Sequence, residues 1–279
     1  MAMDLPIGVA LGTVGATAAW WLESARRLEA AGYRDVWAWD HLMGKGDPAT
    51  PVLEQWTILS AAAASTTTIG LGTFVTSVTF RHPALLARMA STLQAVSGGR
   101  LTLGMGIGGF AREHAAFGIP FPPPEERAVR LEAAVGVIRA LWTGLPVTRD
   151  DPLFPLRGAV ASPAPDPLPR ILIGAQSPAG VRLAARVGDG WAAEGDGFEA
   201  LLPAYLEALE AAGRDRADVR IVVGFGGGRT GQDALVGIPW VADLEGEWAR
   251  QSACGADAVV LTARTTRDVD ALVAASERA

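Results

Sequence analysis

Asp40 and His41, an adjacent acid and imidazole, end the apolar run Val36-Trp37-Ala38-Trp39. Neither group belongs in an apolar core without a partner. A strand that stops on such a pair sets it at the carboxyl edge, where α/β folds gather their ligands. Imidazole donates or accepts a proton near physiological pH, which makes His41 the candidate catalytic residue. The other histidines, His82 and His114, fall at no metal-ligand spacing, so no metal site is expected. His82 precedes Pro83 and suits a turn or a helix cap.

Three further stretches offer backbone rather than side chains. Gly104-Met105-Gly106-Ile107-Gly108-Gly109 formally contains G-x-G-x-x-G, but no long helix follows at once. The first acids about twenty residues on, Glu125 and Glu126, begin a helix instead of ending a strand. Bare glycine backbone lets a flat ligand approach closely; the alternative is a glycine-rich strand without ligand contact. Gly224-Phe225-Gly226-Gly227-Gly228-Arg229 lacks the Gly-Lys-Ser/Thr of a P-loop and reads as a phosphate-cradling loop or a flexible turn. Gln176-Ser177-Pro178-Ala179-Gly180 joins a strand to a helix start, where free N–H groups and the helix dipole favour a phosphate.

A repeated frame must position these groups. Short apolar runs at 7–11, 35–41, 68–77, 100–108, 171–175, 190–193, 221–225 and 258–262 alternate with segments of helical periodicity, such as Thr17 to Ala31 and Pro83 to Val96. Eight strands alternating with helices predict a (β/α)8 TIM barrel, with all strand ends on one face. The proline-rich stretch 109–169 interrupts the rhythm and is read as an insertion after strand 4 that roofs the site, within a single domain spanning 1–279.

The 279 residues, 49% hydrophobic and 19% charged, suffice for a sizeable core. A formal charge of -6 argues against a nucleic-acid surface. No apolar run approaches the roughly 18 residues of a membrane helix, and the amino terminus lacks the pattern of a signal peptide, so a cytoplasmic protein is expected. Cys254 is the only cysteine, which excludes an internal disulfide and a cysteine metal cluster.

Five strings, in this order and spacing, carry a resemblance: Gly32-Tyr33 through Trp39-Asp40-His41-Leu42; Leu71 to Thr76 leading to Arg81-His82-Pro83; Ser97-Gly98-Gly99-Arg100-Leu101 into Leu103-Gly104-Met105-Gly106; Glu113 with Phe117-Gly118; and Gly188-Asp189-Gly190-Trp191. Together they resemble the bacterial luciferase-like family of flavin and deazaflavin oxidoreductases, most closely its shorter coenzyme F420-dependent members. The resemblance implies a barrel with an insertion, a homodimer, and hydride transfer between F420 and a small-molecule substrate. It implies that Asp40 contacts the cofactor and that His41 lies by its reacting face. A non-proline cis peptide is implied at Phe74-Val75, with Thr76 beside it. Gly106, Ile107 and Gly108 are placed along the cofactor, and Gln176, Ser177, Ala179 and Gly180 near its phosphate. Two positions depart from the pattern. Gly109 stands where some sugar-phosphate dehydrogenases of the family carry an acidic proton donor, and Gln176-Ser177 replaces a common Gly-Gly. The alternatives are an FMN-dependent monooxygenase served by a separate flavin reductase, a cofactor-free barrel lyase or isomerase using Asp40 and His41, and a flavin-binding protein without turnover.

Overall fold

A computed structural model describes residues 6–44, 46–226, 235 and 238–279. Its strands are β1 (Ile7–Leu11), β2 (Asp35–Ala38), β3 (Gly70–Thr73), β4 (Thr76–Ser77), β5 (Leu101–Gly106), β6 (Val147–Arg149), β7 (Leu156–Ala159), β8 (Arg170–Gly174), β9 (Gly190–Glu194), β10 (Arg220–Phe225) and β11 (Ala258–Ala263). The helices that bear on the site are α1 (Ala18–Ala30), α2 (Gln55–Ser65), α3 (Pro83–Ser97), α4 (Ala111–Ala116), α5 (Pro124–Leu141), α6 (Pro178–Val187) and α7 (Phe198–Ala211). Parallel pairing runs β1-β2-β3-β5-β8-β9-β10-β11 and returns to β1, which closes an eight-stranded (β/α)8 barrel.

Alternate residues of each strand face opposite sides of the sheet, so one strand feeds two cores. On β2, Val36 and Ala38 pack outward toward the helices, while Trp37 joins Ala10, Leu172, Ala192, Val222, Ala258 and Val260 inside the barrel. This explains why the run before Asp40 is apolar throughout. Trp37 also dictates its neighbour: a Cβ on Gly72 would lie 2.0 Å from the indole Cε3.

The chain between β5 and β8 divides its tasks. Helix α5 packs against α3 and α6 in the outer ring. The antiparallel pair β6-β7 and the loop after it lie against that ring, with Phe154 edge-on to His82, Arg88 donating to the Ser162 carbonyl, and Gln94 donating to the Pro167 carbonyl at 2.6 Å. The start of the stretch, around α4, and Arg127 at the start of α5 reach the mouth of the barrel.

Glu29 ties α1 to the start of β3. Its Oε1 accepts the N–H groups of Thr67, Thr68 and Ile69 at 2.7, 2.6 and 3.1 Å. Burial pushes this carboxyl up, but the three N–H groups and the Thr68 hydroxyl outweigh that push and bring it from the ordinary 4.5 to about 2. The folded carboxylate therefore releases its proton more readily than the unfolded one. Its contribution to stability is whole above about pH 4.5 and is lost as pH falls toward 2. Glu29→Gln is expected to lower the melting temperature at neutral pH and flatten its decline across that acid window, as measured by thermal melts from pH 7 to 2.

Candidate active site

The third strand of the ring is where the site is built. Gly72 pairs with Thr102 and Thr76 with Met105, so this strand advances four residues while β5 advances three. The extra residue is taken up at Phe74-Val75, whose peptide bond is cis. The Thr73 hydroxyl repairs the interrupted ladder by accepting the Gly104 N–H at 2.8 Å and donating to the Gly104 carbonyl at 2.7 Å.

The two side chains of the bulge account for several glycines. A Cβ on Gly106 would meet Val75 Cγ2 at 2.6 Å, and those on Gly104 and Gly174 would meet Val75 methyls at 3.0 Å. Phe74 lies against Gly224, where a Cβ would come within 2.8 Å of its ring, and meets Trp37 edge-on at 5.8 Å. Gly106 thus leaves room for Val75 and Gly224 for Phe74, while a Cβ on Gly104 would first strike the Thr73 carbonyl oxygen at 2.0 Å. The remainder of that second glycine-rich loop, Gly227-Gly228-Arg229, lies outside the described residues. Gly108 is different in kind, with φ of 79°, and a Cβ there would sit 2.7 Å from Ser77 Oγ. Gly108→Ala combines a left-handed backbone cost of roughly 1–2 kcal/mol with that collision. A lower melting temperature is expected, read by thermal melts.

Asp40 is enclosed. Its Oδ2 accepts the Ser77 N–H at 2.8 Å and Arg81 Nη1 at 2.7 Å, while Oδ1 accepts Arg81 Nη2 at 3.0 Å. Its side chain is 2% exposed. Burial pushes the Asp40 carboxyl up, opposed by Arg81 and the Ser77 N–H. Burial pulls the Arg81 guanidinium down, but Asp40 and Glu54 override it, and Arg81 holds its proton above the ordinary value. Glu54, the N-cap of α2, receives Arg81 Nη2 at 2.5 Å. The bidentate fork braces the start of β2's loop against β4.

His41 is half-buried at the mouth, and Nδ1 lies 3.4 Å from Glu113 Oε1 on α4. The adjacent His114 is buried, with Nε2 2.6 Å from Thr79 Oγ1 and Nδ1 2.9 Å from the Phe110 carbonyl. Thr79 in turn meets Ser77 Oγ at 2.7 Å. Arg127 reaches down from α5 to the carbonyls of Ile107, at 3.0 Å, and Gly108, fixing the end of β5.

The residues singled out in the sequence fall into three groups. His41, Phe74, Val75, Ile107 and Gly108 are half-buried around the mouth. Asp40, Thr76 and Gly106 are buried against protein, with the Thr76 hydroxyl turned outward to donate to Gln55 Oε1 at 2.7 Å. Gln176, Ser177 and Ala179 are exposed and Gly180 half-buried at the start of α6, where the Ser177 hydroxyl caps the Gly180 N–H at 3.1 Å. The start of α6 follows β8, so it shares the carboxyl-end face of the sheet with the other groups. Trp39 is half-buried with Arg264 5.1 Å over its ring, whereas Trp191 is fully buried between Phe198 and Tyr205. His82 is the N-cap of α3, its Nδ1 accepting the Ala84 N–H at 3.2 Å. Among the described residues no cluster of three or more His, Cys, Asp or Glu is placed to hold a metal, and no helix is long and apolar enough to cross a membrane. Arg81, Glu113 and His114 were not singled out as site residues; the adjacent Glu113-His114 pair just beyond the glycine-rich strand was the available signal.

A closed parallel barrel with a cis-peptide bulge on its third strand and an imidazole at the mouth defines the class. The family model for luciferase-like monooxygenases matches residues 5–226, and the chain belongs to that family. An F420-dependent glucose-6-phosphate dehydrogenase of Beutenbergia cavernae is 38% identical over 70% of this chain and 60% of its own length. An F420-dependent hydroxymycolic acid dehydrogenase of Mycobacterium tuberculosis is 35% identical over 72% of this chain and 58% of its own. The chain thus spans less than two thirds of the length of these relatives. Among solved structures, an F420-dependent secondary alcohol dehydrogenase in complex with an F420-acetone adduct superposes with a TM-score of 0.83, covering 99% of this chain and 98% of the other at 21% identity. The coenzyme F420-dependent tetrahydromethanopterin reductase of Methanopyrus kandleri gives 0.73 over the same shares at 18% identity. These two likenesses describe the fold.

Proposed function

We propose that the protein is an oxidoreductase that uses coenzyme F420 to pass a hydride to or from a small organic substrate. The observation that carries this reading is the convergence on one face of His41, the Val75, Ile107 and Gly108 wall, and the exposed start of α6. The residues suit the cofactor. Val75 and Ile107 offer a half-buried apolar surface to a flat ring, Gly108 presents bare backbone, and the start of a helix favours phosphate. The F420-dependent relatives support the same choice.

When bound, the deazaflavin supplies the hydride chemistry. The chain's own residues do the remainder. His41 holds or moves the substrate's proton. Asp40 serves the cofactor through what it holds, since its carboxylate fixes Arg81 and the Ser77 N–H beneath the mouth. Gly106 and Thr76 shape the wall by leaving room for Val75 and by anchoring β4 on α2. Gln176, Ser177, Ala179 and Gly180 are assigned to the phosphate, and the segment from Gly109 to the end of α4 excludes water above the substrate. A cytoplasmic homodimer without nucleic-acid or membrane partners completes the proposal.

The family description favours one second reading, an FMN-dependent monooxygenase with a reductase partner. Separate titrations with F420 and FMN distinguish the two. Quenching of deazaflavin fluorescence at micromolar concentration, followed by substrate-dependent turnover, is the expected result. Binding of FMN alone would replace this reading with the second, and binding of neither would end both.

A further inference from the structure

Glu113 is buried at 2% exposure in a place that otherwise needs no charge. Its Oε2 accepts the Leu42 N–H at 2.8 Å, and its Oε1 faces His41 Nδ1 at 3.4 Å, the long end of a hydrogen bond. The next residue, His114, pins α4 to Thr79 and to the Phe110 carbonyl between the rings of Phe80 and Phe121. The carboxylate is therefore carried on a braced element and tethered to the residue that follows His41, as a group that sets geometry must be.

An ionised carboxylate only accepts hydrogen bonds, so the ring nitrogen that faces it carries the hydrogen. In neutral imidazole the other nitrogen is then a bare acceptor. Here that nitrogen is Nε2, which has no hydrogen-bond partner among the described residues, on a side chain 23% exposed at the mouth. We propose that Glu113 is a positioning residue that fixes His41 as the Nδ1–H tautomer and presents the Nε2 lone pair to the substrate. In the oxidising direction the substrate's C–H electron pair leaves as hydride to the redox cofactor, its O–H proton goes to Nε2, and a C=O bond forms. The imidazolium so produced lies against the Glu113 carboxylate; reduction returns the proton and hydride by the same path. The substrate half of this inference rests on the oxidoreductase reading, and the tautomer half does not.

Two-bond 1H–15N spectra of the histidine rings, with His41 assigned by its loss in His41→Asn, read the tautomer directly. The wild-type protein is expected to show Nδ1–H. In Glu113→Gln the amide oxygen keeps the Leu42 N–H while the amide NH2, which only donates, turns toward His41, so the tautomer is expected to invert to Nε2–H. Turnover should then fall at least roughly tenfold, in the manner of a wrongly held catalytic imidazole, with F420 binding unchanged. Glu113→Asp should restore the wild-type tautomer. An Nε2–H signal in the wild-type protein overturns the proposal whether or not the variants fold, and so does an unchanged tautomer in Glu113→Gln. Inversion of the tautomer in a protein that binds no F420 supports the role of Glu113 and sinks the cofactor reading instead.

Discussion

Asp40→Ala is expected to be the most destabilising single change at the mouth, lowering stability by about 3 kcal/mol. Two groups lose their partner at once. Arg81, with a side chain 11% exposed, loses both arms of its fork and retains only Glu54, and the Ser77 N–H loses its acceptor on β4. A buried charge left short of its counter-ion typically costs about 3–5 kcal/mol, and the surviving Glu54 contact places this case at the lower end. For a chain of this size each kcal/mol lowers the melting temperature by about 2–4 °C, so a fall on the order of 10 °C is expected by differential scanning fluorimetry. F420 affinity should fall with it, because Ser77 Oγ lies 2.7 Å from where a Cβ on Gly108 would stand, and Gly108 is proposed to meet the cofactor. Asp40→Asn keeps an acceptor for the Ser77 N–H and should fall between the two. A melting temperature for Asp40→Ala equal to wild type would show that the ion pair does not hold the mouth together.

Asp40 also shows where a reading of types and spacing stops. An acid at the end of an apolar strand was legible as a site residue, because nothing else explains a charge there. Its partner was not, since Arg81 stands 41 positions away and only the bulge between β3 and β4 brings it within reach. The glycines teach the same lesson. Gly104 and Gly106 suggested open backbone for a ligand, yet their side-chain positions are taken by the Thr73 carbonyl and by Val75, contacts made by the neighbouring strand at its extra residue. The barrel itself was readable because its signal is local and repeated eight times. The stretch 109–169 was legible as a break in the rhythm after the fourth strand from its prolines, but not the packing of α5 between α3 and α6, which rests on contacts with helices distant in sequence. Glu113 gave the weakest signal of all, since a single acid on a six-residue helix is ordinary until Leu42 and His41 are brought to it.

His41→Ala is expected to lower turnover by about 10²–10⁴-fold, the usual contribution of a positioned general acid or base, while leaving stability and F420 affinity near wild type. The geometry supports that separation. His41 is half-buried, and its one hydrogen bond among the described residues is the long one to Glu113, whose stronger bond is to the Leu42 N–H and survives the substitution. The groups proposed to meet the cofactor, Val75, Ile107 and Gly108, are held by the bulge and by Arg127, and neither hydrogen-bonds to His41. Rate and binding should therefore part company: kcat falls, while the fluorescence titration with F420 and the melting curve do not move. The opposite pattern, lost F420 binding with turnover retained at saturating cofactor, would reassign His41 from proton transfer to the cofactor site and leave the mouth without its acid–base group.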